Sequence, residues 1–264
     1  MANTTGPTPF VALYDIHHGM EDRRGRKEAA HDSKLLDAVG QFVGDFKPKL
    51  VVLGGDNLNC APVSHWLKDN KRAREGMRWG RELECFDSEF FSPLNDALPR
   101  GTRKVWLDGN HEDWVEQLLD KRPELEGLLH HRDELSLARR GWEYYAQGDI
   151  VREGHLYFIH GDTVSGGEHV AKSAVLQYDV NVRFGHFHTY QTYTRVSAAQ
   201  QRERKTGIAV PCLGRLNPAY VKDKPTRWIQ GFLFGWINPN GTFSDYVAIA
   251  TDGRFTVNGK TYKG

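Results

Sequence analysis

The sequence predicts an α/β fold in which buried strands alternate with amphipathic helices. Short apolar runs of strand length recur along the chain up to about residue 190, and helical patterns lie between several of them. Of the 264 residues, 39% are hydrophobic and 26% are charged, which is enough apolar material for one sizeable core. We therefore expect one domain that covers residues 1–264.

The strands of this fold are predicted from five apolar runs. Each run ends at a short polar segment that contains Asp, Asn or His. Runs of four or five mostly apolar residues that stop at glycine and polar residues are typical of buried strands. The five runs are residues 10–14, 50–53, 104–107, 155–159 and 180–184.

The helices are predicted from apolar residues that recur on one face. From Leu35 to Phe46 such residues fall at i, i+1, i+4, i+7, i+8 and i+11, so we expect a helix over Glu28–Phe46. A second pattern covers Glu112–Leu119. The segment 60–103 is long for a connection within an α/β unit, and we expect a helical insertion there with one or two helices, for example from Trp66 to Phe86.

The last part of the chain, residues 190–264, has a different character. It is rich in Thr, Tyr and Val, and pairs such as Asn240-Gly241, Asp252-Gly253 and Asn258-Gly259 are typical of hairpin turns. We expect antiparallel strands that complete the same fold.

Charge and cysteine content exclude several classes of protein. Lys and Arg number 35 against 34 Asp and Glu, so there is no basic excess for bulk binding of nucleic acid. Cys60, Cys85 and Cys212 are far apart, which favours neither a disulfide-linked partner nor a thiolate metal site. The N-terminal residues lack a basic segment followed by an apolar run, and no stretch is long enough to span a bilayer. We expect a cytoplasmic protein without a membrane partner.

The polar segments after the five runs carry side chains that bind metal ions. Ligand sites in α/β sheets collect beyond the carboxyl ends of the strands, so side chains from different strands are expected to meet there. One Asp-x-His pair or one buried histidine is commonly structural, and the prediction depends on the whole ordered set. Imidazole, carboxylate and amide donors together suit Mn, Fe or Zn. The candidate ligands are Asp15, His17, Asp56, Asn110, His160, His186 and His188.

The order of these motifs resembles that of the calcineurin-like metallophosphoesterase superfamily. Its pattern is D-x-H, G-D, G-N-H-D/E, H and G-H-x-H, and residues 10–190 of this chain supply every position. The resemblance implies a sandwich of two mixed β-sheets flanked by helices, with the metal site at the carboxyl ends of the strands. The matching segments are Asp15-Ile16-His17, Gly55-Asp56, Gly109-Asn110-His111-Glu112, His160 and Gly185-His186-Phe187-His188.

The resemblance also implies two divalent ions, most simply Mn, with Fe, Zn or Ni as alternatives. Asp15, His17 and His188 would bind one ion, Asn110, His160 and His186 would bind the other, and Asp56 would bridge them. Such a pair activates a bridging hydroxide for in-line attack on phosphorus. The family pattern assigns His111 to the leaving oxygen, which it would protonate or stabilise.

The substrate is less closely indicated. Ser/Thr protein phosphatases of this superfamily carry a histidine-orienting carboxylate and a phosphate-binding arginine where this chain has Asn59 and Cys60. They carry a second arginine at the position of Asp108. Asn59 remains a candidate to hydrogen-bond His111, as a weaker orienting group than a carboxylate. The missing arginines argue against a close relative of the protein phosphatases.

Three functions remain open from the sequence. A basic segment with Trp66 and Trp79 is either a solvated helix face or a surface that binds a phosphodiester backbone. The leading prediction is a phosphodiesterase or nuclease-like enzyme for nucleic acid or nucleotides. The alternative is a phosphomonoesterase for a small molecule or a phosphoprotein, and the third is a non-enzymatic accessory subunit, which the complete ligand set disfavours. The basic residues of the segment are Lys68, Lys71, Arg72, Arg74, Arg78 and Arg81.

Overall fold

The computed structural model describes residues 6–199, 204–222 and 224–264. These residues form strands and helices that alternate over the first two thirds of the chain. The strands are β1 (Thr8–Leu13), β2 (Met20–Arg23), β3 (Arg26–Ala29), β4 (Leu50–Gly54), β5 (Arg103–Leu107), β6 (Trp142–Tyr145), β7 (Val151–Glu153), β8 (Leu156–Ile159), β9 (Asn181–Phe184), β10 (Gln191–Val196), β11 (Arg204–Ala209), β12 (Gln230–Ile237), β13 (Phe243–Ala250), β14 (Arg254–Val257) and β15 (Lys260–Lys263). The α-helices are α1 (Ser33–Phe46), α2 (Lys71–Arg74), α3 (Trp79–Phe86), α4 (Ser92–Ala97), α5 (Asp113–Leu119), α6 (His131–Glu134) and α7 (Val170–Tyr178).

Two mixed sheets dominate the fold. The first has the strand order β13-β12-β1-β4-β5-β6, in which β1, β4, β5 and β6 are parallel and β12 and β13 are antiparallel additions. The second has the order β10-β11-β9-β8-β7, with a parallel centre and antiparallel strands at both edges. The predicted α/β class with mixed sheets and flanking helices is confirmed.

The alternation of side chains along β1 shows how the layers pack. Phe10 and Ala12 point into a core that both sheets share, where the ring of Phe10 meets that of Phe158 edge-on at 5.8 Å. Val11 and Leu13 point the other way, into a core formed with helices that include α1 and α3–α5. A third apolar cluster packs α7 against the second sheet. The result is two facing sheets with helices on their outer sides.

The helix predicted over Glu28–Phe46 begins later, so its N-terminal bound is wrong. Residues 20–29 form the hairpin β2–β3 instead, and α1 starts at Ser33. The side chain of Asp32 accepts a hydrogen bond from the Leu35 main-chain NH at 3.2 Å and so caps the helix. The apolar periodicity that predicts the helix starts at Leu35, which agrees with the observed start.

The helix predicted over Trp66–Phe86 is also wrong as one continuous element. A 3₁₀ turn at His65–Leu67 is followed by separate helices α2 and α3, and a π-helical segment Asp87–Phe91 leads into α4. Two local signals break it: Asn70 caps α2 by accepting from the Ala73 NH, and Gly76 adopts φ +77°.

The tail predicted as antiparallel strands contains three antiparallel strand pairs and one parallel pairing. Strands β10–β11, β12–β13 and β14–β15 are antiparallel hairpins, and the predicted turn pairs lie between or just after strands. Strand β11 also pairs in parallel with β9, which joins the tail to the second sheet. Among the described residues, no helix has the length and apolar character needed to cross a bilayer. Residues 1–5, part of the N-terminal segment considered as a leader, lie outside that description.

Candidate metal centre

All seven predicted ligands meet where β1, β4, β5, β8 and β9 end. In the first sheet β1, β4 and β5 are parallel neighbours, and in the second β8 and β9 are. Their carboxyl ends therefore lie side by side, as expected for a ligand site in an α/β fold. The candidate ligand side chains form two clusters, each with ligand atoms within 4.8 Å of one another, and His111 groups with His17 and Asp56 within the same distance. We call Asp15, His17 and His188 the first ligand group, and Asp56, His160 and His186 the second.

The first ligand group is almost completely buried. His17 Nε2 lies 3.1 Å from His188 Nε2, which in turn lies 3.3 Å from Asp15 Oδ1. The Asp15 carboxylate also accepts from the main-chain NH of His186, at 2.8 Å to Oδ2. That contact fixes the carboxylate and ties the loop after β9 to the loop after β1.

The second ligand group includes the amide of Asn110. Asn110 Oδ1 lies 3.1 Å from His160 Nε2 and 2.8 Å from His186 Nδ1. His160 Nδ1 lies 3.1 Å from the carbonyl oxygen of Gly54. A hydrogen bond from Nδ1 to that carbonyl leaves Nε2 as the ligand atom, a common arrangement around metal-binding histidines.

Asp56 lies between the two groups. Its Oδ2 is 3.7 Å from His17 Nε2, while its Oδ1 is 3.5 Å from His160 Nε2. Oδ1 also accepts a 2.9 Å hydrogen bond from the His111 main-chain NH. The two oxygens of one buried carboxylate therefore face two different sets of donors, as a bridging ligand requires.

The pKa values of two candidate ligands, His160 and His17, are shifted in opposite directions. Burial would lower the pKa of His160, but the charge of Asp56 and its hydrogen bond to the ring raise this pKa to about 10. Burial and the neighbouring His111 hold the pKa of His17 well below its usual value, so His17 is neutral and offers a lone pair. Imidazoles, carboxylates and an amide oxygen that converge in this way fit divalent cations, which would displace the proton from His160 on binding.

The main chain adopts uncommon conformations at the ligands. Asp15, His17, Asp56, His186 and His188 all have φ between 50° and 66°, in the left-handed region. Asp and His tolerate this region better than most residues, but it still carries strain, and strain of this kind concentrates at functional sites. Each residue turns the chain sharply as it leaves a strand and so directs a side chain toward the common centre.

Two glycines of the motifs leave room for the carboxylates. A Cβ on Gly109 would lie 2.2 Å from Asp56 Oδ1, and a Cβ on Gly185 would lie 2.3 Å from Asp15 Oδ2. Any larger residue would displace a predicted ligand. The close approach of the two carboxylates therefore requires glycine at Gly109 and Gly185.

His111 sits beside the two groups. Its Nε2 lies 3.9 Å from Asp56 Oδ2, its ring stacks on Trp114 with centroids 4.0 Å apart, and its Nδ1 lies 2.8 Å from the main-chain oxygen of Asn59. The predicted side-chain contact from Asn59 is wrong, because the Asn59 amide donates instead to the carbonyl of Met20 at 2.9 Å. Asn59 orients His111 through its main chain.

Glu112 is a positioning residue that the sequence does not single out. Its carboxylate accepts from the main-chain NH groups of Asp56 (3.0 Å), Gly109 (2.9 Å) and Leu58 (2.9 Å). Burial, together with the charges of Asp56 and Asp108, raises its pKa to about 7. Glu112 thus joins the loop after β4 to the loop after β5. The only signal for it was its place in the Gly-Asn-His-Glu motif.

Asp108, at the position of a phosphatase arginine, belongs to a buried network. Its carboxylate accepts from Trp106 Nε1 at 2.7 Å and from the Tyr144 hydroxyl at 2.6 Å, and it lies 2.9 Å from His131 Nε2. Burial opposes protonation of His131, but Asp108 more than offsets this and raises its pKa. These three contacts engage both carboxylate oxygens of Asp108 inside the protein.

A third group, His18, His31 and Glu89, lies next to the site. The rings of His18 and His31 stack with centroids 3.8 Å apart, and His18 Nε2 is 3.1 Å from Glu89 Oε2. His31 Nδ1 accepts from the Gly19 NH at 3.3 Å, so its Nε2 carries the proton and offers no lone pair. His18 is only 1% exposed, so its side chain is enclosed by the protein.

The basic segment is divided among several short elements. Trp79 packs against the core between the first sheet and its helices and donates to the carbonyl of Leu129 at 3.0 Å, whereas Trp66 is 75% exposed. Arg74 and Arg78 donate to main-chain carbonyls, and Arg81 pairs with Glu84. The segment therefore lacks the single basic helix face that the sequence predicts.

Glu82, on α3, supports the loop that contacts His111, and it provides a test of the fold. It is buried and accepts from the Cys60 NH at 2.6 Å. Burial raises its pKa to about 8, so the folded protein holds a proton there that the unfolded chain releases above about pH 4.5. Its contribution to stability therefore falls as pH rises from about 4.5 to about 8.

We expect Glu82→Gln to stabilise the protein at pH 8 by about 1–3 kcal/mol, with little change at pH 5. The amide oxygen can still accept from Cys60, and the cost of a buried charge is removed. Denaturant unfolding at both pH values measures this difference. Glu84→Gln, on the exposed side of the same helix, is the control. An equal effect of Glu82→Gln at both pH values would contradict the raised pKa of Glu82.

Comparison with known proteins gives one distant relative and no family. No model of a known protein family matches the chain. The chain is similar to the Gene 54 protein of Mycobacterium phage L5, with 24% identity over 246 residues, which cover 88% of this chain and 93% of the phage protein. The match extends over nearly the full length of both proteins, and the name of the relative specifies no activity.

Proposed function

We propose that this protein is a phosphoesterase that depends on two divalent metal ions. The observation that carries the proposal is the position of Asp56, whose two carboxylate oxygens face two separate sets of candidate ligands, one at His17 and one at His160. The motif order of the metallophosphoesterase superfamily, which residues 10–190 resemble, supports the same assignment. Mn is the ion we expect first, with Fe, Zn or Ni as alternatives.

The first ligand group and Asp56 would hold one ion, and the second group with Asn110 would hold the other. Ions bound there would act as Lewis acids on a phosphate group and would lower the pKa of bound water. The protein contributes rigidity, because Gly54, Glu112 and the main chain of His186 fix the ligands from behind. The buried Asp15 and Asp56 supply two negative charges, so two divalent ions leave the site cationic and attractive to phosphate.

His111 is the residue we propose for the leaving group. The Asn59 carbonyl holds its Nδ1, and Trp114 holds the plane of its ring. Because Nδ1 faces a carbonyl, Nε2 carries a proton only when the ring is an imidazolium. His111 can then donate that proton to the departing oxygen of the substrate.

A phosphodiester is the substrate class that we favour, in a nucleotide or a nucleic acid. Phosphatase-type arginines are missing at two positions, where Cys60 is buried and Asp108 is engaged in its own network. A monoester dianion gains more than a diester monoanion from such an arginine. The alternative is a phosphomonoesterase for a small molecule or a phosphoprotein.

Paired chromogenic substrates test this proposal. We expect the Mn-loaded protein to hydrolyse bis-p-nitrophenyl phosphate with a kcat/KM at least about 10-fold above that for p-nitrophenyl phosphate, and EDTA to remove both activities. A higher value for the monoester would favour the phosphomonoesterase alternative. No hydrolysis of either ester by protein that binds the metal would favour the non-enzymatic accessory subunit.

A further inference from the structure

A surface cavity of about 410 Å³ is lined by Trp228, whose ring contacts His188 of the first ligand group. Two aromatic side chains, Tyr220 and Trp228, line it together with Lys222, Lys224 and Pro225. This volume is within the range of small-molecule sites, about 300–1,000 Å³. The combination of flat aromatic faces and cationic side chains is the chemistry that receives a planar, anionic ligand.

Trp228 connects this cavity to the metal centre. Its ring packs edge-on against the ring of His188, with centroids 4.2 Å apart, and the Ile229 NH donates to the His188 carbonyl at 2.8 Å. The Tyr220 ring lies 6.0 Å from that of Trp228. A group bound between these aromatics would therefore lie one side chain away from a predicted metal ligand.

The fold fixes the position of Tyr220 but leaves much of its side chain exposed to solvent. It lies in a short 3₁₀ turn, Ala219–Val221. A hydrogen bond from the Ala219 NH to Glu21 Oε2 at 2.6 Å anchors this turn. The Tyr220 side chain is nevertheless 59% exposed. A large aromatic residue held in place yet open to solvent beside a reactive centre is typical of a stacking surface.

We propose that the Tyr220–Trp228 cavity binds the nucleobase of a nucleotide or polynucleotide whose phosphodiester occupies the metal centre. This inference rests on the proposed function and specifies its substrate class. Base stacking on aromatic side chains tolerates any base, and Lys222 and Lys224 would attract the adjacent phosphates.

Another exposed tryptophan, Trp66, is less well placed for this role. It reaches His111 only through successive ring contacts with His65 and Trp114. Trp228, in contrast, contacts a predicted ligand directly. The cavity side of the centre is therefore the better candidate for the base.

Two diesters with the same leaving group and charge test the cavity: thymidine 5′-(p-nitrophenyl phosphate) and methyl p-nitrophenyl phosphate. We expect the wild type to prefer the nucleoside ester, and Tyr220→Ala to lower that preference, as a ratio of kcat/KM values, by about 10–100-fold. Tyr220→Phe should restore it, since the stacking face is kept. The control is Tyr246→Ala, which removes a tyrosine of similar exposure (53%) on β13.

Calorimetric binding of thymidine 5′-monophosphate and ribose 5-phosphate gives a readout that does not depend on turnover. The wild type should bind the nucleotide more tightly, and Tyr220→Ala should lose most of that difference. Equal binding of the two ligands, or unchanged nucleotide binding by Tyr220→Ala, would overturn the inference. Selective nucleotide binding without hydrolysis of any ester would sustain the cavity and refute the proposed activity.

Discussion

Asp56→Asn is expected to lose both metal ions together and to lower kcat/KM for the diester by about 10³-fold or more, because the proposed activation of water and phosphate requires both metal ions. The reason is the position of Asp56, whose oxygens are 3.7 Å from His17 Nε2 and 3.5 Å from His160 Nε2. The amide has the size of the carboxylate and can still accept from the His111 NH. The fold should therefore persist while the shared charge is lost.

Metal content after dialysis against Mn, measured by mass spectrometry, separates this role from that of an ordinary ligand. His188→Ala is the matched comparison, since His188 contacts Asp15 and His17 of the first ligand group only. It should lose about one ion per chain while Asp56→Asn loses about two. Loss of a single ion from each variant would show that Asp56 does not bridge.

His111→Ala is expected to keep near-normal metal content and to lower kcat by about 10²-fold or more. His111 lies beside the ligand groups, and the Asn59 carbonyl and Trp114 fix its ring. The loss should be smaller for esters with good leaving groups such as p-nitrophenolate, because protonation of the departing oxygen matters less there. Stopped assays with a series of aryl diesters measure this dependence.

The pH dependence provides a second measure of His111. Burial lowers its pKa, although Asp56 and the Asn59 carbonyl oppose the effect, so the imidazolium becomes scarcer as pH rises. The ratio of wild-type to His111→Ala rates should therefore be largest at low pH and should fall as pH increases. His65→Ala is the control, since His65 contacts the same Trp114 ring at 5.6 Å. An equal loss for good and poor leaving groups would assign His111 to phosphate binding instead.

The convergence of the candidate ligands could be predicted from the sequence because each lies at or shortly after the end of a strand. An apolar run fixes where a strand ends, and parallel strands bring their ends together. Asp15 and Asp56 are therefore predicted to meet although they are 41 positions apart, and in the structure both lie beside His17. The same reasoning places His160 and His186 at the ends of β8 and β9.

Contacts made through the main chain could not be read in this way. Asn59 orients His111 with its carbonyl oxygen, and Glu112 binds three main-chain NH groups, so neither role depends on a recognisable pair of side chains. The aromatic cavity was missed because Tyr220 and Trp228 lie far along the chain from the metal motifs. Tertiary packing of Trp228 against His188 brings them to the site.

Anomalous diffraction from a crystal of the Mn-loaded protein is the most direct test of the central claim. We expect two Mn peaks about 3.5–4 Å apart, both within bonding distance of the Asp56 carboxylate. One should contact Asp15, His17 and His188, and the other Asn110, His160 and His186. A single peak, no peak, or peaks only at His18, His31 and Glu89 would contradict the claim.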